Sequence, residues 1–133
     1  MDREAIKALI ERGYEARRTG DIDGIITVFH PEGKFALAGS KESFAVAGVS
    51  TGHQELRATL AGLIANFEFV QREILATIID DDRAAVHARV KVRFVPKNET
   101  VTTELLDLWK FADGKIIELI EFVDTALINA VMR

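Results

Sequence analysis

Near residue 67 the hydrophobic period of the chain drops from about 3.6 to about 2, and nothing else in the sequence restricts the fold so strongly. Residues 67 to 79, 83 to 95, 100 to 111 and 115 to 123 are four strand candidates. Only Asp80-Asp81-Asp82, Pro96-Lys97-Asn98-Glu99 and Ala112-Asp113-Gly114 separate them. Connections this short join neighbours as hairpins, because a parallel crossover needs a dozen residues or more. The strands are therefore expected to form an antiparallel meander. Helical patterning comes before it, which makes the chain α+β, with the sheet curling around the first helices. At 133 residues a single domain, 1–133, is expected, since the length supports one core and not two.

In the first half, Ala5, Ile6, Leu9, Ile10, Gly13, Tyr14 and Arg17 recur at helical spacing, with Lys7, Glu11, Glu15 and Arg18 on the other side. Gly20-Asp21 ends this helix and caps a short second one through Ile22, Ile25, Ile26 and Phe29, which His30-Pro31 stops. Residues 34 to 38 read as a short strand. From Gly39 to Gly52 the chain is small and polar without a period, and a connection of that length is expected to be a lid or a binding loop. A third helix starts at Thr51 or Gly52 and turns Leu56, Leu60, Leu63 and Ile64 inward. Asp124-Thr125 caps a final helical turn.

The second long strand separates Ala84, Val86, Ala88, Val90, Val92 and Phe94 from His87, Arg89, Lys91 and Arg93, so one face is apolar and the other basic. A turn over residues 96 to 99 pairs Lys91 near Glu104 and points Leu105, Asp107, Trp109 and Phe111 inward. A carboxylate among Leu and Trp side chains is costly unless it is paired or protonated, and this is how acid–base sites are made. The next hairpin leaves two registers open. A two-residue Asp113-Gly114 turn without a bulge sets Glu118 on the face of Asp107; a three-residue Ala112-Asp113-Gly114 loop sets Ile117, Leu119, Glu121 and Val123 there.

The chain contains no cysteine, which removes disulfide frameworks, thiolate metal sites and cysteine nucleophiles. Its three histidines show no ligand spacing, so no metal is expected. Gly33 and Gly39-Ser40-Lys41 mimic a phosphate loop, but the glycines are one residue too far apart and no continuous helix follows the lysine. A net charge of −4 argues against nucleic-acid partners. The opening MDREAIKALIERGYEARR has no apolar core of a signal peptide, and no apolar run approaches membrane-spanning length. A cytoplasmic protein without a membrane partner is expected. With 48% hydrophobic residues and a mean hydropathy of +0.10, some apolar surface is expected to be covered by a second copy, as a homodimer through the outer sheet face.

The element order and the stretch LWKFADGKIIELIEFVDTALI resemble the nuclear-transport-factor-2-like superfamily, and within it the SnoaL-like and ketosteroid-isomerase-like groups. The resemblance covers nearly the whole chain and ends on Phe122-Val123-Asp124-Thr125-Ala126. It implies a cone: a curved antiparallel sheet packed on N-terminal helices as a cystatin-like roll, with a deep apolar pocket open at one end. Matched backwards from Gly114-Lys115, Asp107 falls where ketosteroid isomerases keep the protonated aspartic acid of their oxyanion hole. Their tyrosine falls at Gly13, with Tyr14 one place off, and their general base falls at Ala38. Glu121 matches a final-strand carboxylate of limonene-epoxide-hydrolase-like members, whose Arg and Asp on an earlier strand fall at Arg89 and Lys91. The resemblance implies cofactor-free proton transfer on a small apolar carbonyl or hydroxyl compound, as in isomerisation, cyclisation or hydration. The alternative is a binding or interaction module on the same cone. Candidate catalytic residues are Asp107, Glu121, Tyr14 and His53; candidate ligand-binding residues are Phe35, Leu105, Trp109 and Leu119.

Overall fold

In the computed structural model, which describes residues 1–133, Asp2 starts the first helix, α1 (Arg3–Thr19), by accepting the Ala5 N–H at 2.8 Å. Gly20, at φ 72°, closes it in the left-handed conformation that glycine adopts at little cost. Asp21 then caps α2 (Ile22–Val28) by accepting the Gly24 N–H at 2.9 Å. Strand β1 (Phe29–Leu37) follows directly, so it is longer than the five residues the sequence suggests. Next come β2 (Gly48–Thr51), α3 (Gly52–Asn66), β3 (Phe67–Asp80), β4 (Arg83–Phe94), β5 (Glu99–Ala112), β6 (Lys115–Phe122) and α4 (Thr125–Met132). Asp124 caps α4 through the Leu127 N–H at 3.1 Å.

The fold is α+β: one curved, mostly antiparallel sheet in the order β2-β1-β6-β5-β4-β3 with helices packed against it. Strands β3 to β6 form the expected meander. One seam of the sheet is parallel, where β1 runs alongside β6. No hairpin constrains that pair, since most of the chain lies between them. The supposed lid from Gly39 to Gly52 also divides. Its second part is β2, with Ser50 opposite Phe35, and its first part is a turn anchored by Phe44, only 1% exposed. A four-residue strand is too short to show a period.

Ile6, Leu9 and Ile10 of α1 and Leu56 and Leu60 of α3 pack on Val86 and Val92 of β4 and Trp109 and Phe111 of β5. The faces follow the alternation of β4, but Lys91 lies opposite Thr102, and Glu104 lies opposite Arg89. A 3-10 turn over Val95–Lys97, closed by Asn98 at φ 52°, starts the pairing at Phe94 and Glu99. The slip is two residues, so every side chain keeps its face.

Candidate active site

The face of the sheet turned to the helices encloses a cavity of about 100 Å³, and 19 of its 25 lining residues are hydrophobic, so charges in it are poorly screened. Its position depends on one bulge. Asp113 and Gly114, at φ 54° and 74°, make a two-residue turn with both residues left-handed, and Ala112 pairs with Lys115. Phe111 pairs with Ile116, but Lys110 pairs with Glu118, leaving Ile117 as the extra residue. That insertion flips the parity of the rest of β6. Leu119 comes opposite Trp109, and Glu121 comes opposite Asp107. The structure thus combines the shorter of the two open turns with the side-chain set of the longer one. Glu118 goes to the outer face, where its carboxylate lies 4.0 Å from Lys34.

Asp107 is 0% exposed and accepts the Tyr14 hydroxyl hydrogen bond on Oδ2 at 2.7 Å. Burial first, and then the neighbouring Glu121 carboxylate, hold the Asp107 carboxyl well above the ordinary aspartate range; the Tyr14 bond and Arg72 oppose them. Burial and the charge at Asp107 also push the Tyr14 phenol up. Tyr14 comes one residue after the matched helix position, yet its long side chain still reaches the aspartate. Trp109, 2% exposed, meets the Tyr14 ring edge-on at 5.4 Å and stacks on Phe111 at 6.3 Å. Phe35, Leu105 and Leu119 complete the expected walls, all three on the cavity.

Two guanidinium groups enter the same cavity. Arg17 lies on the inward stripe of α1 and donates from Nη2 to the Phe67 carbonyl at 2.6 Å and the Leu63 carbonyl at 3.3 Å, satisfying groups at the end of α3. Burial lowers its pKa to about 10, against the pull of Glu121. Arg72 of β3 lies over the rings of Tyr14 at 3.9 Å and Phe69 at 4.6 Å, with Nη1 3.9 Å from Asp107 Oδ2. The sequence reading does not single out Arg72. Bulges at Val70 and Leu75 break the alternation of β3, so no parity argument assigns Arg72 to a face.

Other candidates are placed elsewhere. His53 does not line the cavity: its Nε2 is hydrogen-bonded to the Phe29 carbonyl at 3.0 Å, tying the start of α3 to β1. The expected place of His53 at the pocket is not where the structure puts its ring, because a helix start near a glycine does not say which way a ring turns. Arg89 and Lys91 also stay outside. Arg89 pairs with Glu73 at 3.5 Å on the outer sheet face. The cationic group beside the carboxyl pair comes from β3 instead.

A cavity with two opposed carboxyls, one raised by burial, can hold an acid and a base side by side. Comparison with known proteins agrees with this kind of fold. The family described as SnoaL-like domain matches residues 10–119. None of the curated proteins matches. Among solved structures, an NTF2-like protein of unknown function from Burkholderia pseudomallei superposes with a TM-score of 0.82 at 18% identity, covering 98% of each chain. TerC co-crystallized with polyporic acid superposes at 0.79 and 22% identity, covering 96% of this chain and 97% of its own. An LEH-like epoxide hydrolase of M. tuberculosis superposes at 0.74 and 15% identity, covering 98% and 90%. At these identities the likeness is one of fold. No helix is long and apolar enough to cross a membrane.

Proposed function

The chain belongs to the SnoaL-like domain family, and from that premise we propose that its cavity takes a small, largely apolar carbonyl or hydroxyl compound and moves a proton on it without a cofactor. What carries the reading is the cross-strand pair of Asp107 and Glu121 in an apolar enclosure, with Asp107 fully buried. Two like groups there favour one shared proton, which supplies an acid and a base at neutral pH.

In this reading Asp107 is the acid. Tyr14 donates to Oδ2, and the proton that Asp107 shares with Glu121 is the one passed to a substrate oxygen. Glu121 is the base that takes a proton from the adjacent carbon. The general base of ketosteroid isomerases would fall at Ala38, whose N–H donates to the Glu121 carbonyl at 2.9 Å. The neighbouring strand therefore brings a carboxylate next to the position where β1 has none. Phe35, Leu105, Trp109 and Leu119 hold the apolar body and keep water out, which strengthens every charge interaction inside.

The test is deuterium incorporation next to the carbonyl of small cyclic ketones in D₂O, followed by NMR. Exchange should exceed the buffer rate and fall by about 10²- to 10⁴-fold in Glu121→Gln. It should also fall as pH rises through the raised pKa of Asp107, because the acid form is lost. Exchange that is absent, or indifferent to Glu121→Gln, means the cavity binds without catalysing. We also propose a homodimer through the outer sheet face, where Ile78 is 66%, Phe122 44% and Leu106 38% exposed. Light scattering that gives 14.8 kDa at micromolar concentration would reject it.

A further inference from the structure

The two buried guanidinium groups differ in how their hydrogen bonds are met. Arg17 is held by two backbone carbonyls. Arg72, whose side chain is 14% exposed, is held mainly by aromatic faces, and its Nη1 is buried with no hydrogen-bond partner. Its nearest carboxyl oxygen, Asp107 Oδ2, lies at 3.9 Å and already accepts from Tyr14. Trp109 Nε1 is likewise buried and unpartnered, in a side chain 2% exposed. Both orphaned nitrogens are donors only, so what completes them must be an acceptor. Buried donors of this kind are rare in folded proteins because leaving them unmet is costly.

Charge points the same way. With one proton shared between Asp107 and Glu121 the pair carries one negative charge, against two positive charges on Arg17 and Arg72. One positive charge is left over in an apolar enclosure, whichever carboxyl holds the proton. Outside, Arg72, Tyr14 and Phe69 also line a surface groove of about 390 Å³ with Glu11, Glu15 and Arg18. Glu15 is taken by Arg18 at 2.6 Å. Arg72 thus stands at the wall between groove and cavity.

We infer that the natural ligand is a small organic acid: an apolar body in the cavity carrying one carboxylate, whose oxygens accept from Nη1 of Arg72 and from the indole N–H of Trp109. A carboxylate offers two acceptor oxygens and a negative charge, one oxygen for each orphaned donor and the charge for the guanidinium, which a lone carbonyl does not. This rests on the proposed small-molecule reading of the cavity and narrows its substrate class to acids. The apolar part must be smaller than a benzene ring, because a cavity of about 150 Å³ holds one such ring and this one is about 100 Å³.

The experiment uses isobutyrate and 2-methylpropan-1-ol, which match in shape and differ in charge. Trp109 is the only tryptophan, so its emission reports binding at this site, and neither probe absorbs there. The wild-type protein should bind the carboxylate roughly tenfold or more tighter than the alcohol. Arg72→Met, which keeps the aliphatic stem, should lose that preference and still bind the alcohol. Arg72→Lys should keep part of it. Equal affinities in the wild type, no saturable carboxylate binding up to about 10 mM, or a preference that survives Arg72→Met each overturn the inference. If Arg72→Met does not fold, Arg72→Lys with an undiminished preference has the same force. The readout needs no turnover. Carboxylate selectivity without deuterium exchange defeats proton transfer alone, and exchange without selectivity defeats this inference alone.

Discussion

The two faces of β4 and β5 carry the same kinds of side chain and treat them in opposite ways. On the outer face Arg93 meets Glu68 at 2.6 Å, His87 meets Glu104 at 2.5 Å and Arg89 meets Glu73 at 3.5 Å, each acid beside a base and open to water. On the inner face the two carboxyls of Asp107 and Glu121 oppose each other, and the guanidinium of Arg72 stops at 3.9 Å. Exposed pairs are screened and contribute little to stability. Inside, where water does not screen, burial first and then the facing Glu121 carboxyl lift Asp107 out of the ordinary carboxylate range. Charge therefore acts most strongly where there are few charges, and the outer pairs contribute little to stability.

The largest way to sharpen this contrast is to add the same charge to each face. Val86, 1% exposed and opposite Asp107, becomes a third inner carboxyl in Val86→Asp; urea unfolding should show a loss of about 3–5 kcal/mol. Ala76→Asp, opposite His87 on the exposed side, should stay within about 1 kcal/mol of wild type. Equal losses at the two sites would erase the distinction.

Next in size is Asp107→Asn. A carboxyl whose pKa rises on folding keeps a proton that the unfolded chain has released, so it lowers stability as pH climbs from 3.8 toward its folded value. Asparagine keeps an acceptor for Tyr14 and has no proton to lose. The variant should match wild type below about pH 4 and gain on it by about 1.4 kcal/mol for each pH unit up to that folded value. A variant that instead loses stability toward neutral pH means that Asp107 is ionised. Smallest is Glu104→Gln, which removes the partner of His87. Thermal melts should show a change within about 1 kcal/mol that fades with added salt.

How much of this is legible in the sequence depends on where parity holds. The inward direction of Asp107 follows from the strict alternation of β4 and survives the two-residue slip at Val95–Lys97, since an even slip keeps the face. The placement of Glu121 turns on a bulge at Ile117 that no hydrophobic pattern marks, because Ile116, Ile117, Leu119 and Ile120 suit either face. Arg72 follows a bulge at Val70 and precedes another at Leu75. Its inward turn is fixed by the Phe69 ring three residues back on β3 and by the Tyr14 ring, a contact that joins distant parts of the chain. Tyr14 was within reach because helical spacing already put it on the inner stripe. The ring of His53 was not, because its partner is a backbone carbonyl 24 residues away.

Whether Asp107 is a protonated acid at neutral pH is tested most directly by ¹³C NMR of the aspartate carboxyl carbons. Its resonance is assigned by its absence in Asp107→Asn. At pH 7 the account predicts a carboxyl shift of the protonated form, with a midpoint well above 3.8. A resonance already in the ionised position at pH 7, titrating at or below 3.8, would contradict it and leave the pair without its acid.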